Sequence, residues 1–103
     1  MKLYLDDIRN PKEKDWIVVR NYYEFKEFIL REGLPSIMSL DHDLGGIYSG
    51  LDCVKWLVYE KGFDLRDVDI YIHSANPVGR SAMEGLIENW NKWLDEEDLV
   101  KKG

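Results

Sequence analysis

The chain has 103 residues, 20 of them Asp or Glu against 14 Lys or Arg, for a formal net charge of −6. That length is one domain, residues 1–103, around one hydrophobic core. The acidic balance excludes wrapping extended duplex nucleic acid or adhering to an anionic membrane, since both draw affinity from cations, and leaves open a nucleotide or a nucleic-acid end held in a small pocket.

Cys53 has no partner for a disulfide, which suits a reducing compartment. Asp6 and Asp7 arrive before any apolar stretch long enough for a signal peptide or a span. A cytoplasmic protein is the expectation. Oligomeric state is not legible.

Leu3 to Leu5 reads as a short buried strand that runs into Asp6 and Asp7, with Arg9 just beyond. Trp16 to Val19 is a second apolar, β-branched run. Between them Ile8 to Asp15 contains Asn10-Pro11 and is too short for an ordinary crossover helix. The second strand therefore follows an irregular parallel crossover or runs antiparallel at an edge. Asn21 followed three residues later by Glu24 resembles a capping box, and Tyr22, Phe25, Phe28 and Ile29 recur at helical spacing up to Gly33 and Pro35.

Ser36 to Leu40 predicts a third strand, again ending in acids, Asp41 and Asp43, with His42 between them. Gly45 to Gly50 reads as a loop, and a second helix carries Leu51, Val54, Leu57 and Val58 on one face, with Cys53 as a small core residue. Val68 to Ile72 is a fourth strand ending in His73, Ser74 and Asn76. A last helix bears Met83, Leu86, Ile87, Trp90 and Leu94, and Glu96 to Gly103 reads as a polar tail. If the first crossover lacks a helix, one sheet face is short of cover, and the last helix with its tryptophans is the element expected there.

Strands alternating with helices predict a mostly parallel sheet, and in such sheets ligands bind beyond the carboxyl ends of the strands. Three of those ends switch from apolar to ionisable residues, and both histidines fall among them. Asp6, Asp7, Asp41 and Asp43 offer hard oxygen ligands suited to Mg²⁺ or Mn²⁺. Each aspartate alone is better explained as a cap of a helix or turn; the set together points to a site. His42 and His73 are the natural proton-transfer pair, joined by Asp41, because an unperturbed imidazole titrates near neutrality. Arg9 can grip phosphate oxygens with two bonds or simply pair with Asp6 or Asp7. Ser74, Asn76 and Gly79 can supply hydroxyl, amide and helix-terminus donors to an anion. No HExxH or paired-cysteine spacing supports zinc.

Three segments then carry a resemblance: Leu5-Asp6-Asp7-Ile8-Arg9-Asn10-Pro11, Ser39-Leu40-Asp41-His42-Asp43-Leu44-Gly45, and His73-Ser74-Ala75-Asn76-Pro77-Val78-Gly79. In this order they resemble the cyclic-phosphate-processing receiver domain family, from about Leu3 to Met83. The resemblance implies a compact three-layer, receiver-like (flavodoxin-like) α/β sheet of about four mostly parallel strands with helices on both faces. The fifth strand with its lysine is missing here, and with it the first crossover helix. It implies Asp6 and Asp7 at the receiver's metal-binding acid pair, Asp41 at the phospho-acceptor place, and His73 and Ser74 where a receiver carries its small hydroxyl residue. The implied activity is metal-assisted hydrolysis of cyclic phosphates such as 2′,3′-cyclic nucleotides or RNA ends. The alternatives are a non-catalytic module that binds a nucleotide, a phosphorylated ligand or a partner protein, and, more distantly, a phosphorelay receiver.

Overall fold

The computed structural model describes residues 1–102. Four strands, β1 (Lys2–Leu5), β2 (Trp16–Val19), β3 (Ile37–Leu40) and β4 (Asp69–Ile72), form one sheet in the order β2-β1-β3-β4, and every pair is parallel. Three helices accompany them: α1 (Tyr22–Glu32), α2 (Gly50–Lys55, continuing as a π-helical turn over Trp56–Glu60) and α3 (Pro77–Lys102). This is the receiver-like arrangement, ending at four strands and without the first crossover helix. Among the described residues no helix is long and apolar enough to cross a membrane.

Local chemistry sets the element ends. Asn21 Oδ1 accepts from the Glu24 N–H at the start of α1, and Gly33, at φ +82°, returns its N–H to the Ile29 carbonyl at the end; few residues other than glycine take that φ. Ser49 and Asp52 form a reciprocal capping box at the start of α2.

Parity along the strands divides the sheet into two unlike faces. Leu3, Leu5, Met38 and Leu40 are fully buried and share one core with Phe25, Phe28 and Ile29 of α1, Cys53, Val54 and Trp56 of α2, and Met83 of α3. The alternate residues, Tyr4, Trp16, Val18, Ile37 and Tyr71, stay outside that core, and Tyr71 is 61% exposed.

Right-handed crossovers explain the division. The connections β2→β3 and β3→β4 move across the sheet in one direction, so α1 and α2 fall on the same face. Only β1→β2 moves the other way, and its helix would have covered the second face. That connection, Asp6 to Asp15, has no helix.

Two expectations therefore change. The helices lie on one face, not both, because the one crossover of opposite sense is irregular. The last helix does not cross to the bare side. It packs back against α2, where a Cβ on Gly50 would come 3.0 Å from the Met83 methyl, and Trp90 Nε1 donates to the Phe63 carbonyl at 2.8 Å. The expected polar tail is also helical through Lys102. Arg66 reaches Asp95 at 2.9 Å and Asp98 at 2.6 Å while holding Asp64 at 2.7 Å, tying the far end of α3 to the loop before β4.

Candidate functional site

Three strand ends meet at one rim. Asp6 follows β1 and is 1% exposed. Its Oδ1 accepts the backbone N–H groups of Ile8 at 3.0 Å and Arg9 at 2.7 Å, an Asx turn that starts the irregular crossover. Its Oδ2 accepts from Arg9 Nε at 2.9 Å and lies 3.0 Å from His73 Nε2. Burial pushes this carboxyl up, but the two backbone N–H groups, His73 and Arg9 together outweigh it and hold it below the usual carboxylate range. Facing Asp6 in turn raises the Arg9 guanidinium.

His73, the first residue after β4, is held on three sides. Nδ1 lies 2.7 Å from Ser39 Oγ, Nε2 binds Asp6, and the ring stacks on Tyr4 with centroids 4.5 Å apart and planes within 9°. Tyr4, Ser39 and His73 share the parity of the bare face, so this group opens on the side that lacks helices. Burial first, and then the Asp6 charge, raise the Tyr4 phenol above its ordinary value.

Asp41, after β3, is 6% exposed. Its Oδ1 accepts the His42 N–H at 2.8 Å and its Oδ2 lies 3.5 Å from Arg9 Nη2. Arg9 thus spans Asp6 and Asp41, and its Nη2 also lies 3.5 Å from the His73 carbonyl.

His42 belongs to a second group on the helix side of the rim. Its Nδ1 lies 2.8 Å from Asp43 Oδ1, which also receives Asn76 Nδ2 at 3.5 Å. The His42 bond is the main cause holding the Asp43 carboxyl below its ordinary range. The ring rests on the first turn of α3 so closely that a Cβ on Gly79 would run into it.

The expected residues therefore gather in two groups, not one. Asp6, Asp41, His73 and Arg9 form the first, and His42, Asp43, Asn76 and Gly79 the second. The two imidazoles do not face each other across one gap. Asp7 stands apart from both, against Gly45, where φ is +72° and a Cβ would come within 3.0 Å of Asp7 Oδ2. Ser74 and Asn76 are occupied in building α3: Ser74 Oγ accepts the Asn76 N–H at 3.0 Å, and Asn76 Oδ1 accepts the Gly79 N–H at 3.0 Å. The helix terminus expected to meet an anion is capped by the chain's own amide.

A divalent ion tests the first group. Asp6, Asp41 and His73 each bring a ligand atom within 4.8 Å of the others, and two carboxylates with an imidazole suit Mn²⁺ better than Mg²⁺ by donor type. As arranged, however, the group does not fit an ion. Asp6 Oδ2 already serves Arg9 and His73, Nδ1 of His73 serves Ser39, and the guanidinium supplies the positive charge between the two acids. Asp7 and Asp43, expected among the ligands, lie outside this cluster.

Three contributors escaped the sequence reading. Ser39 and Tyr4 sit inside apolar runs; the signal was their register, one position out of phase with the buried leucines. Arg20, the residue after β2, donates from Nη1 to the Asp6 carbonyl at 3.1 Å and to the Arg9 carbonyl at 2.7 Å, and from Nη2 to Asn10 Oδ1, stapling the loop that carries Arg9. Nothing local in the sequence marks it.

Searches of curated proteins and of solved structures found no match. A family model described as the cyclic-phosphate processing receiver domain matches residues 1–89, which include β1 to β4 and every residue of both groups. The chain belongs to the cyclic-phosphate processing receiver domain family.

Proposed function

We propose that this chain is a hydrolase of cyclic phosphodiesters, acting on 2′,3′-cyclic nucleotides or the cyclic ends of RNA at the rim where β1, β3 and β4 finish. The observation that carries the reading is the Asp6–His73–Arg9–Asp41 group. It places a fixed guanidinium and a fixed imidazole at one end of the sheet, and these two side chains are what a phosphodiester needs.

Arg9 is the phosphate clamp. Its fork is half exposed, and Asp6 and Asp41 orient it from behind, so two phosphate oxygens can take up its free N–H groups. Neutralising the phosphate in this way lowers the cost of adding negative charge at phosphorus. His73 takes the proton from the attacking oxygen and Asp6 stabilises the imidazolium that results. His73 returns that proton to the departing ribose oxygen, while His42, its Nδ1 fixed by Asp43 and its Nε2 without a partner among the described residues, is a proton carrier of the second group on the helix side of the rim. The net charge of −6 favours a short substrate over a long polyanion.

The test is incubation of the purified protein with 2′,3′-cyclic nucleotides, with and without added Mg²⁺ or Mn²⁺, followed by phosphorus NMR. Conversion to a phosphomonoester that is lost in Arg9→Ala and His73→Ala supports the reading. Folded protein that leaves every cyclic nucleotide and a cyclic-ended RNA oligonucleotide unchanged removes it, and tight binding without turnover would leave a binding module.

A further inference from the structure

We infer that Ser39 is a nucleophile, activated by His73 and oriented through Asp6, and that the ligand reaches it along the uncovered sheet face. The inference rests on the phosphodiester reading for its substrate class and on independent geometry for the residue. Three side chains from three strands form one hydrogen-bonded line: Ser39 Oγ to His73 Nδ1 at 2.7 Å, and His73 Nε2 to Asp6 Oδ2 at 3.0 Å. A hydroxyl within reach of a base, with the base held by a third group, is the arrangement of an activated nucleophile.

The tautomer follows from the partners. A carboxylate only accepts, so Nε2 carries the ring hydrogen and Nδ1 turns its lone pair to the Ser39 hydroxyl. With both nitrogens engaged, His73 meets substrate through Ser39. Stacking on Tyr4 fixes the ring plane, removing the rotation that would break either bond.

Access comes from the missing crossover helix. A groove of about 580 Å³ runs over the bare face, lined among others by Tyr4, Arg9, Trp16 and Ser39. Its aromatic side chains offer flat surfaces to a nucleobase, and Arg9 belongs both to its wall and to the first group at the rim. A serine that served only to pad a strand would have no reason to lie at the meeting of a groove, a guanidinium and a base.

The step balances. Ser39 Oγ attacks phosphorus of the cyclic diester as its proton moves to His73 Nδ1. The Oγ–P bond forms and the bond from phosphorus to one ribose oxygen breaks. His73 passes the proton it took from Ser39 to that oxygen, which leaves as a hydroxyl, giving a phosphoserine diester and a neutral imidazole. Water then attacks phosphorus and gives its proton to His73, the Oγ–P bond breaks, and Ser39 regains its hydrogen. One water is consumed and a phosphomonoester is released.

The test uses two probes on the full chain. The first is an acid quench during turnover of a 2′,3′-cyclic nucleotide, read by intact mass and peptide mapping. The second is a fluorophosphonate, which needs no substrate assignment because the Oγ–P bond forms as fluoride leaves. The expected result is one adduct, on Ser39, absent from Ser39→Ala and reduced at least a hundredfold in rate in His73→Ala. Turnover in Ser39→Ala falls at least a thousandfold, with folding checked by circular dichroism, and Ser39→Cys regains labelling at its thiol. Ser39→Ala turning over within threefold of wild type, or an adduct elsewhere, overturns the nucleophile while leaving the substrate class intact. Clean labelling of Ser39 without turnover of any cyclic nucleotide supports the nucleophile and removes the substrate class instead.

Discussion

Asp6→Asn isolates the contribution of one carboxylate with almost no change of shape. The amide keeps an oxygen where Oδ1 stands, so the N–H groups of Ile8 and Arg9, at 3.0 and 2.7 Å, stay satisfied. At the Oδ2 position an NH₂ now meets Arg9 Nε, donor against donor, and His73 Nε2 loses its acceptor. Arg9 is half exposed, so its lost pair costs about 0.5 kcal/mol, while the part-buried bond to His73 is worth roughly 1.5 kcal/mol. The sum, about 2 kcal/mol, lowers Tm by roughly 8–16 °C in a domain of this size. The effect on turnover is larger. An amide hydrogen facing Nε2 draws the lone pair there and moves the ring hydrogen to Nδ1, the tautomer that cannot accept from Ser39, and a loss of about 10³–10⁴ follows. The Asp6 carboxyl is held below its ordinary value in the folded chain. Its contribution is therefore complete above the unfolded value of about 4 and fades as pH falls toward the folded one. Urea unfolding followed by tryptophan fluorescence should show the full gap between wild type and variant at pH 7 and a narrowing gap below about pH 4. Equal stability at pH 7, or a gap that does not change with acid, would refute the network.

Arg9→Ala opens the first group to a cation. Mn²⁺ titration read by water-proton relaxation should give binding at least tenfold tighter than in wild type, and equal affinity would show that the guanidinium does not hold the cation's place. Gly79→Ala drives a methyl group into the His42 ring; overpacking of this kind costs about 1–3 kcal/mol, and the His42 ring proton resonances should move while those of His73 stay. Arg66→Ala frees Asp64, Asp95 and Asp98. Faster amide exchange confined to residues 91–102 is expected, with the sheet unaffected. In wild type the Asp64 carboxyl is pulled down to about 2 by the Arg66 side chain, so the Asp64–Arg66 pair contributes fully above about pH 4 and weakens as pH falls toward 2.

The parts of the fold set by local pattern were legible in the sequence: four apolar runs, the Asn21 cap, the helical spacing of Tyr22 to Ile29, and the missing crossover helix. What was not legible depends on contacts between distant segments. Residues 96–102 read as a polar tail, yet they are helical, and Arg66 reaches Asp95 and Asp98 of the same helix from a distant loop. The site divided along similar lines. That acids and histidines would cluster at strand ends followed from the fold class. Which imidazole met which carboxylate did not, because it turns on side-chain direction at the strand end: His73 continues the outward parity of Tyr71 and reaches Asp6, while His42 turns toward α3. Ser39 was hidden for the opposite reason, lying inside an apolar run that reads as pure core.

The bare sheet face and the site are one consequence of the same omission. A helix between β1 and β2 would lie over Tyr4, Ser39 and Trp16, and the His73–Ser39 pair would then be a buried polar contact of purely structural meaning. In its place stands a ten-residue connection that the Asp6 Asx turn starts and Arg20 staples at the Asp6 and Arg9 carbonyls. This loop aims Arg9 at the rim and leaves no helix over the outward residues of the central strands. Here the rim continues onto the sheet, and the one aromatic stripe that a covering helix would normally hide becomes the surface beside the imidazole.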